Sequence, residues 1–372
     1  MRRIGIVLDL QSHSPPSSEG LNRIRGWVDE NLLRRRWTTG AQKQMSNNIN
    51  SGYGQMLMTQ IAAAVGPVFG KVLFVIPAGD TANKDRITET FGTDLDGKVR
   101  VFATVVAAYD AATTNADDVI VLGTNSTHEL TEQLTISKNR VHFIGDTSGR
   151  LYGQRAKINY ADGIATALPF AVKNLGIGNT FTGIKFINNN TDAQVVATVG
   201  EGGEYAIYKN CEFYNSTVLT SDTVAELVLN GDSAQFIGCT FGSLADAVTG
   251  DKIRPAVLMT AGTVGAGLVS RDVLFDGCKF WKQAGGTATV MVKIASTDDV
   301  ERLVEFHDCI FAAAKLGSTP AVAIASATLT KGQVILTGDT CAFNCTKIAT
   351  ATGVISGLNV KVATATIGVQ AS

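Results

Sequence analysis

The sequence predicts an all-β protein built as a parallel β-helix, a solenoid of short strands, preceded by a partly helical adaptor. The main observation is a short pattern that recurs in the second half of the chain: an aromatic residue, a turn-forming residue, cysteine and phenylalanine in fixed order. Its copies lie about 27 to 39 residues apart, a spacing typical of solenoid repeats. The composition agrees, because 38 glycines and only 7% aromatic residues suit short strands and many turns.

The repeat contains two columns of residues that we expect to face inward. The first column holds Ile184, Cys211, Cys239, Cys278, Cys309 and Cys341, and the second holds Phe186, Phe213, Phe241, Phe280, Phe311 and Phe343. Two inward residues separated by one outward residue make a short strand. The phenylalanines should therefore stack along the interior, with the cysteines beside them as small apolar residues. A metal or disulfide set is the disfavoured alternative, because no Cys-x-x-Cys occurs and cysteines in one column point the same way.

The residue before each cysteine marks a bend. This position holds Gly183, Asn210, Gly238, Gly277, Asp308 and Thr340, and all but the last are of types that tolerate a left-handed backbone. An aromatic residue two positions earlier (Tyr208, Phe236, Phe275 and Phe306) should end the preceding strand inside the solenoid. The position between this aromatic residue and the bend residue should face outward, and in successive units it holds Asp276, His307 and Asp339. These three residues form a weak candidate surface site, and a solvated corner is the simpler interpretation.

Residues 101–146 support the same fold. Val105, Ala108 and Ala112 have helical spacing, and strand-like segments such as "DDVIVLG" and "RVHFIG" follow. A short helix leading into short strands resembles the start of the pectin-lyase-like right-handed parallel β-helix superfamily, where such a helix covers the open end of the first coil. The resemblance implies a right-handed β-helix over residues 96–350, a capping helix near 103–113, and a C-terminal cap or tail at 351–372.

Residues 1–95 differ in character and are predicted to form an adaptor or anchoring region. Ser18 can cap a helix with an apolar stripe, and the basic cluster Arg34, Arg35 and Arg36 follows it. This cluster is either a solvated helix end, favoured by the helix dipole, or an anchor to an acidic capsid surface. Asp9 interrupts the first apolar run, so no signal peptide is predicted, and the apolar stretches are too broken to predict a membrane span.

Charge and motifs argue against several function classes. With 17% charged residues and a net charge of −1, the chain lacks the basic surface of a nucleic-acid binder. None of the four histidines lies in a nucleophile motif, and there is no phosphate-binding loop. The sequence therefore predicts no catalytic residues, no cofactor, no metal and no enzymatic activity, with a polysaccharide hydrolase or lyase as the alternative.

Two functions remain at this stage. A β-helix with a helical amino-terminal arm resembles the trimeric capsid decoration (cement) proteins of tailed bacteriophages. That resemblance implies a homotrimer that is made in the host cytoplasm, binds the major capsid protein and stabilises the head from the exterior of the virion. The alternative is a tailspike-like protein that binds or depolymerises a host surface glycan, in which Trp281, directly after "CKF", could stack on a sugar ring.

Overall fold

We describe a computed structural model of the chain. It describes residues 70–81, 84–85, 87–88, 97–123, 126–145, 156–163, 168–215, 224–247, 252–283, 288–314, 322–338, 341–343, 345 and 347–349. The chain divides into two compact units, Met1–Met56 and Leu57–Ser372. The predicted amino-terminal helix with Arg34, Arg35 and Arg36, the C-terminal tail and Asp339 lie outside the described residues, so the predicted domain boundaries stay predictions.

The described part of the chain forms three parallel sheets. Sheet 1 contains β1 (Val72–Val75), β2 (Val101–Phe102), β3 (Asp118–Leu122), β6 (Val141–Gly145), β9 (Thr180–Thr182), β12 (Ile207–Lys209), β15 (Gln235–Ile237), β18 (Val273–Asp276), β21 (Glu301–His307) and β24 (Lys331–Thr337). Sheet 2 contains β4 (Thr127–Leu130), β7 (Ala156–Tyr160), β10 (Ile184–Asn188), β13 (Glu212–Asn215), β16 (Thr240–Ala247), β19 (Lys279–Gln283), β22 (Ile310–Ala314) and β25 (Ala342–Phe343). Sheet 3 contains β5 (Leu134–Ile136), β8 (Phe170–Asn174), β11 (Ala197–Glu201), β14 (Ala225–Leu229), β17 (Val257–Met259), β20 (Val290–Ile294), β23 (Val322–Ser326) and β26 (Lys347–Ala349).

From β3 onward, the chain visits sheet 1, sheet 2 and sheet 3 in turn, and each strand pairs in parallel with the strand one coil later. The register confirms the predicted phenylalanine column, since Phe186 pairs with Phe213, and Phe213 with Phe241. The protein is a right-handed parallel β-helix, as predicted. In such a coil every strand except those at the two ends has its backbone groups bonded on both sides.

A short helix, α1 (Val105–Ala111), packs at the start of the solenoid. The Thr104 side chain caps it by accepting a hydrogen bond from the amide of Ala107 at 3.2 Å. At its other end the Lys138 ammonium donates to the carbonyls of Tyr109 (2.8 Å), Asp110 (2.9 Å) and Ala112 (2.9 Å). These bonds add a donor at the end of the helix, where carbonyls run short of backbone partners. Tyr109 is buried and stacks on Phe143, which links the helix to the interior.

Two columns of stacked rings fill the interior along the corner between sheets 1 and 2. One column runs through Phe143, Phe181, Tyr208, Phe236, Phe275 and Phe306, with neighbouring centroids 4.5 to 5.1 Å apart. The other runs through Phe186, Phe213, Phe241, Phe280 and Phe311, at 4.7 to 5.4 Å. Rings of the two columns meet edge to face, as Phe280 and Phe306 do at 5.7 Å. Offset stacking and edge contacts are both favourable for aromatic quadrupoles.

The cysteines lie beside these rings as buried free thiols. In successive coils each thiol donates to a backbone carbonyl of the preceding coil, as Cys278 Sγ does to Phe236 at 3.1 Å and Cys309 Sγ does to Phe275 at 3.3 Å. Burial raises the pKa of Cys278 well above its usual value. The thiol is therefore neutral and packs as a small apolar residue with a weak donor.

The bends between sheets 1 and 2 have a left-handed backbone at five of the six predicted residues. Their φ values are +67° at Gly183, +51° at Asn210, +62° at Gly238, +60° at Gly277 and +49° at Asp308. The sixth, Thr340, lies outside the described residues; in the same bend Gly338 has φ +84°. The last bend is longer than the others, and Thr337 rather than Asp339 pairs with His307.

Candidate functional site

The outer face of sheet 2 carries two aromatic side chains at the same strand position. Trp281 pairs with Gly242 in the register of β16 and β19. Tyr214 directly follows Phe213, which pairs with Phe241, the residue before Gly242. Both aromatic residues are partly exposed. Neighbouring strands are about 4.8 Å apart, so Tyr214 and Trp281 lie about 10 Å apart with one coil between them.

The residue in that intervening coil has to be glycine. Gly242 has φ +85°, and a Cβ there would collide with the Trp281 carbonyl oxygen. Both the backbone conformation and the close approach of the next strand exclude a larger residue. The strand between the two aromatic strands therefore has a gap in its row of side chains at Gly242, whose backbone is itself buried.

A row of polar side chains runs beside the aromatic row, one outward position earlier in each strand. Lys185 binds Glu212 with a distance of 2.6 Å between Nζ and Oε1, and its ammonium lies 5.4 Å from the centre of the Tyr214 ring. Lys279 places its ammonium 5.5 Å from the centre of the Trp281 ring. A lysine therefore holds each ring by a cation–π contact. The face presents apolar rings with charged hydrogen-bonding groups along one edge.

A buried ion pair lies at the corner between sheets 2 and 3, close to Gly242. Lys282 Nζ is 2.6 Å from Glu226 Oε1 and 2.7 Å from Oε2, and each side chain is only 5% exposed. Burial raises the pKa of Glu226 and lowers the pKa of Lys282, while their mutual attraction opposes both shifts. Each partner compensates for the burial of the other, so removal of either alone would leave a buried group without its partner.

On the outer face of sheet 1, the structure brings together two of the three residues of the predicted surface site. Asp276 and His307 are neighbours in the register of β18 and β21. His307 Nδ1 is 3.0 Å from Thr337 Oγ1, which donates to Glu305 Oε1 at 2.5 Å. Asp339 lies outside the described residues, and Thr337 is the residue that pairs with His307 in the next coil.

Carboxylates on the outer face of sheet 2 do not converge in the described part of the chain. Glu129 and Glu212 lie three coils apart, about 14 Å by strand spacing. Glycosidase carboxylates lie about 5 to 9.5 Å apart, so these two do not form such a pair. Within the described ranges, no group of three or more His, Cys, Asp or Glu side chains is placed to hold a metal ion. No helix of the described residues is long and apolar enough to cross a membrane.

No family model and no curated protein matches the chain. Solved structures do match. A pectin methylesterase from Aspergillus niger is 16% identical with a TM-score of 0.44, and the match covers 76% of this chain and 81% of the enzyme. Pectate lyase Pel9A is 12% identical with a TM-score of 0.48, over 74% of this chain and 64% of the lyase. An alginate lyase from Paenibacillus is 12% identical with a TM-score of 0.30, over 68% and 97%.

These matches correct one prediction from the sequence. The chain was predicted not to be an enzyme, but every protein named in these matches is an enzyme that modifies a polysaccharide. At 12% to 16% identity the likeness is one of fold, and it assigns no reaction and no catalytic residue to this chain. The β-helix itself is established by the strand pairing described above.

Sequence reasoning found Trp281 but missed the rest of the aromatic surface. Tyr214, Gly242 and Trp281 each follow directly after the phenylalanine of their repeat. This third column therefore carried the signal, since a residue next to an inward phenylalanine must face outward. The ion pair of Glu226 with Lys282 had no such signal, because its members lie on different sheets and in different coils.

Proposed function

We propose that this protein binds a glycan on the outer face of sheet 2, the second of the two functions that the sequence predicts. The observation that carries the proposal is the pair Tyr214 and Trp281, which flank the gap at Gly242. A sugar ring has apolar C–H faces and a rim of hydroxyl groups. Aromatic rings suit the faces, and the neighbouring Lys185 and Lys279 supply donors for the rim.

The parallel β-helix gives this surface a rigid frame. Tyr214 and Trp281 are carried by strands whose inward neighbours, Phe213 and Phe280, are fully buried in the aromatic stack. Their backbone positions are therefore fixed before any ligand arrives, which lowers the entropic cost of binding. An extended chain of sugars could lie along the solenoid axis and contact both rings.

The test is binding of soluble polysaccharides to wild-type protein, measured by affinity electrophoresis, with release of reducing ends followed in parallel. Pectin, pectate and alginate belong in the panel, together with bacterial capsule and lipopolysaccharide preparations. We expect Trp281→Ala and Tyr214→Ala each to weaken binding by about 1 kcal/mol or more. Tyr205→Ala is the matched control, because Tyr205 is an aromatic residue that is 59% exposed outside sheet 2.

If no glycan in the panel is retained, or if Tyr205→Ala weakens retention as much as Trp281→Ala does, the proposal fails. Reducing ends released by wild-type protein would add a reaction to the binding function. In that case Glu212→Gln and Asp276→Asn would locate the reaction on sheet 2 or sheet 1.

A second candidate function, the predicted capsid decoration role, is supported by the outer face of sheet 1. Ile207, Ile237 and Leu274 occupy outward positions in three successive coils, and all three are partly exposed. Apolar side chains grouped on a flat sheet face favour contact with another protein surface. A homotrimer bound to the major capsid protein on the virion exterior would place such faces against one another or against the capsid.

Light scattering tests this second candidate. A mass near three times that of the 39.2 kDa chain, which falls in Ile237→Lys, together with co-sedimentation with capsids, would support it. A monomer that does not bind capsids would exclude it.

A further inference from the structure

A pocket of about 230 Å³ opens on the outer face of sheet 3, away from the aromatic surface of sheet 2. It lies between strands β17 and β20 and the loop of residues 260–269, which connects β17 to β18. Its lining consists of Val196, Pro255, Leu258, Thr260, Thr263, Lys293 and Ala295.

The loop that forms one side of the pocket is firmly held. The amide of Val264 donates to Asn230 Oδ1 at 2.9 Å, and the amide of Ala261 donates to Asp299 Oδ1 at 2.7 Å. Val264 is 1% exposed and packs in a cluster with Phe170 and Val228 on the outer face of sheet 3. Because backbone and side chain of the loop are both anchored, the pocket exists without a ligand.

The chemistry of the lining selects a class of ligand. Val196, Pro255 and Leu258 give it an apolar wall, and Thr260 and Thr263 add two hydroxyl groups. Lys293 is the charged residue of the lining, and it takes part in none of the ion pairs formed among the described residues. A lysine without a counter-ion beside an apolar wall favours an anion that carries an apolar body.

We propose that this pocket binds a small organic carboxylate with an apolar body about the size of one substituted aromatic ring. The carboxylate would pair with Lys293 and accept hydrogen bonds from the threonine hydroxyls, while the ring covers Leu258. The volume fits, since an apolar cavity of about 150 Å³ is enough for benzene and this pocket is larger. This site is independent of the glycan surface on sheet 2.

The experiment is calorimetric titration of the full chain with benzoate, and with benzyl alcohol as the neutral probe of similar shape. We expect saturable binding of benzoate, a loss of affinity of at least tenfold in Lys293→Met, and weaker binding of benzyl alcohol. Ala295→Phe, which fills the pocket from an exposed position, should abolish binding. Lys173→Met is the matched control, because Lys173 occupies the same outward row of sheet 3 but does not line the pocket.

Absence of saturable benzoate binding to correctly folded wild-type protein would overturn the proposal. It would be overturned equally if Lys173→Met and Lys293→Met lost the same affinity, since that result would indicate nonspecific charge attraction. Circular dichroism of each variant shows that the fold is retained, so loss of binding can be assigned to the pocket.

Discussion

At the scale of single residues, the interior is held by rings that contact one another on several sides. Phe280 is fully buried and stacks on Phe241 at 5.1 Å and on Phe311 at 4.7 Å, with edge contacts to Phe275 and Phe306. Its neighbours are themselves part of the two columns and cannot move inward without breaking their own contacts. A missing ring at this position would therefore leave a cavity.

We accordingly expect Phe280→Ala to lower the free energy of unfolding by about 3 to 5 kcal/mol, the usual cost of removing a buried phenylalanine. Denaturant unfolding monitored by circular dichroism measures this loss. Ile310→Ala is the control, because Ile310 pairs with Lys279 on the outer face and is 37% exposed. An equal loss for both variants would mean that the ring columns do not carry the stability assigned to them.

Glu201 is the other informative single residue, a carboxyl group inside the coil that is 0% exposed. It accepts hydrogen bonds from Tyr208 Oη at 2.6 Å, the amide of Gly203 at 2.6 Å and Asn174 Nδ2 at 2.9 Å. Burial raises the pKa of Glu201 to about 7, although these hydrogen bonds oppose the shift. Among the described residues no cation is a partner of Glu201, so the folded protein holds the proton that the unfolded chain releases.

Since the folded pKa lies above the unfolded value of 4.5, the protonated carboxyl contributes stability that is complete below pH 4.5 and is lost as the pH rises through 7. We expect wild-type protein to lose about 3 kcal/mol relative to Glu201→Gln between pH 4.5 and pH 8. Chemical unfolding at several pH values measures this difference. Parallel pH curves for the two proteins would disprove it, and the exposed Glu132→Gln should behave as wild type.

At the scale of elements, the bends between sheets 1 and 2 set the register of the solenoid. Gly277 offers a clean test, because it has φ +60° and an added Cβ would meet no atom within 4 Å. Any cost of substitution there comes from the backbone conformation and not from a collision. Asn210 and Asp308 occupy the same position in other coils, so the chain itself contains tolerated alternatives.

Gly277→Val is therefore expected to lower the melting temperature clearly, while Gly277→Asn should be mild, because asparagine adopts the left-handed conformation far more readily than valine. Calorimetry of the two variants measures the difference. Equal shifts would show that this bend does not depend on a left-handed residue.

The same elements show how far the sequence can be interpreted alone. The inward columns were predictable because a residue pair such as Cys211 and Phe213 recurs with fixed spacing and strict alternation. The inward columns of the first coils were not predictable, because Ile158 and His128 stand in place of phenylalanine there and break the pattern. In the last coil Cys341 keeps the pattern, but four residues separate Thr337 from Ala342 where two separate His307 from Ile310. A buried contact between distant coils, such as Glu226 with Lys282, has no local pattern at all.

At the scale of the whole molecule, one repeated interior supports three different outer faces. Inward positions are restricted by the aromatic stack and vary little, whereas outward positions are free to differ from sheet to sheet. Sheet 2 carries Tyr214 and Trp281, sheet 3 carries the Lys293 pocket, and sheet 1 carries Asp276 beside His307. Function in this fold is therefore a property of a face and not of the repeat.

The most direct measurement for the central claim is a crystal structure of the protein soaked with an oligosaccharide from whichever polysaccharide it retains. We expect electron density for a sugar ring against Trp281, over the gap at Gly242, with hydroxyl groups near Lys279 or Lys185. A sugar bound at Asp276 and His307 on sheet 1, or in the pocket of sheet 3, would contradict the assignment of the glycan surface to sheet 2.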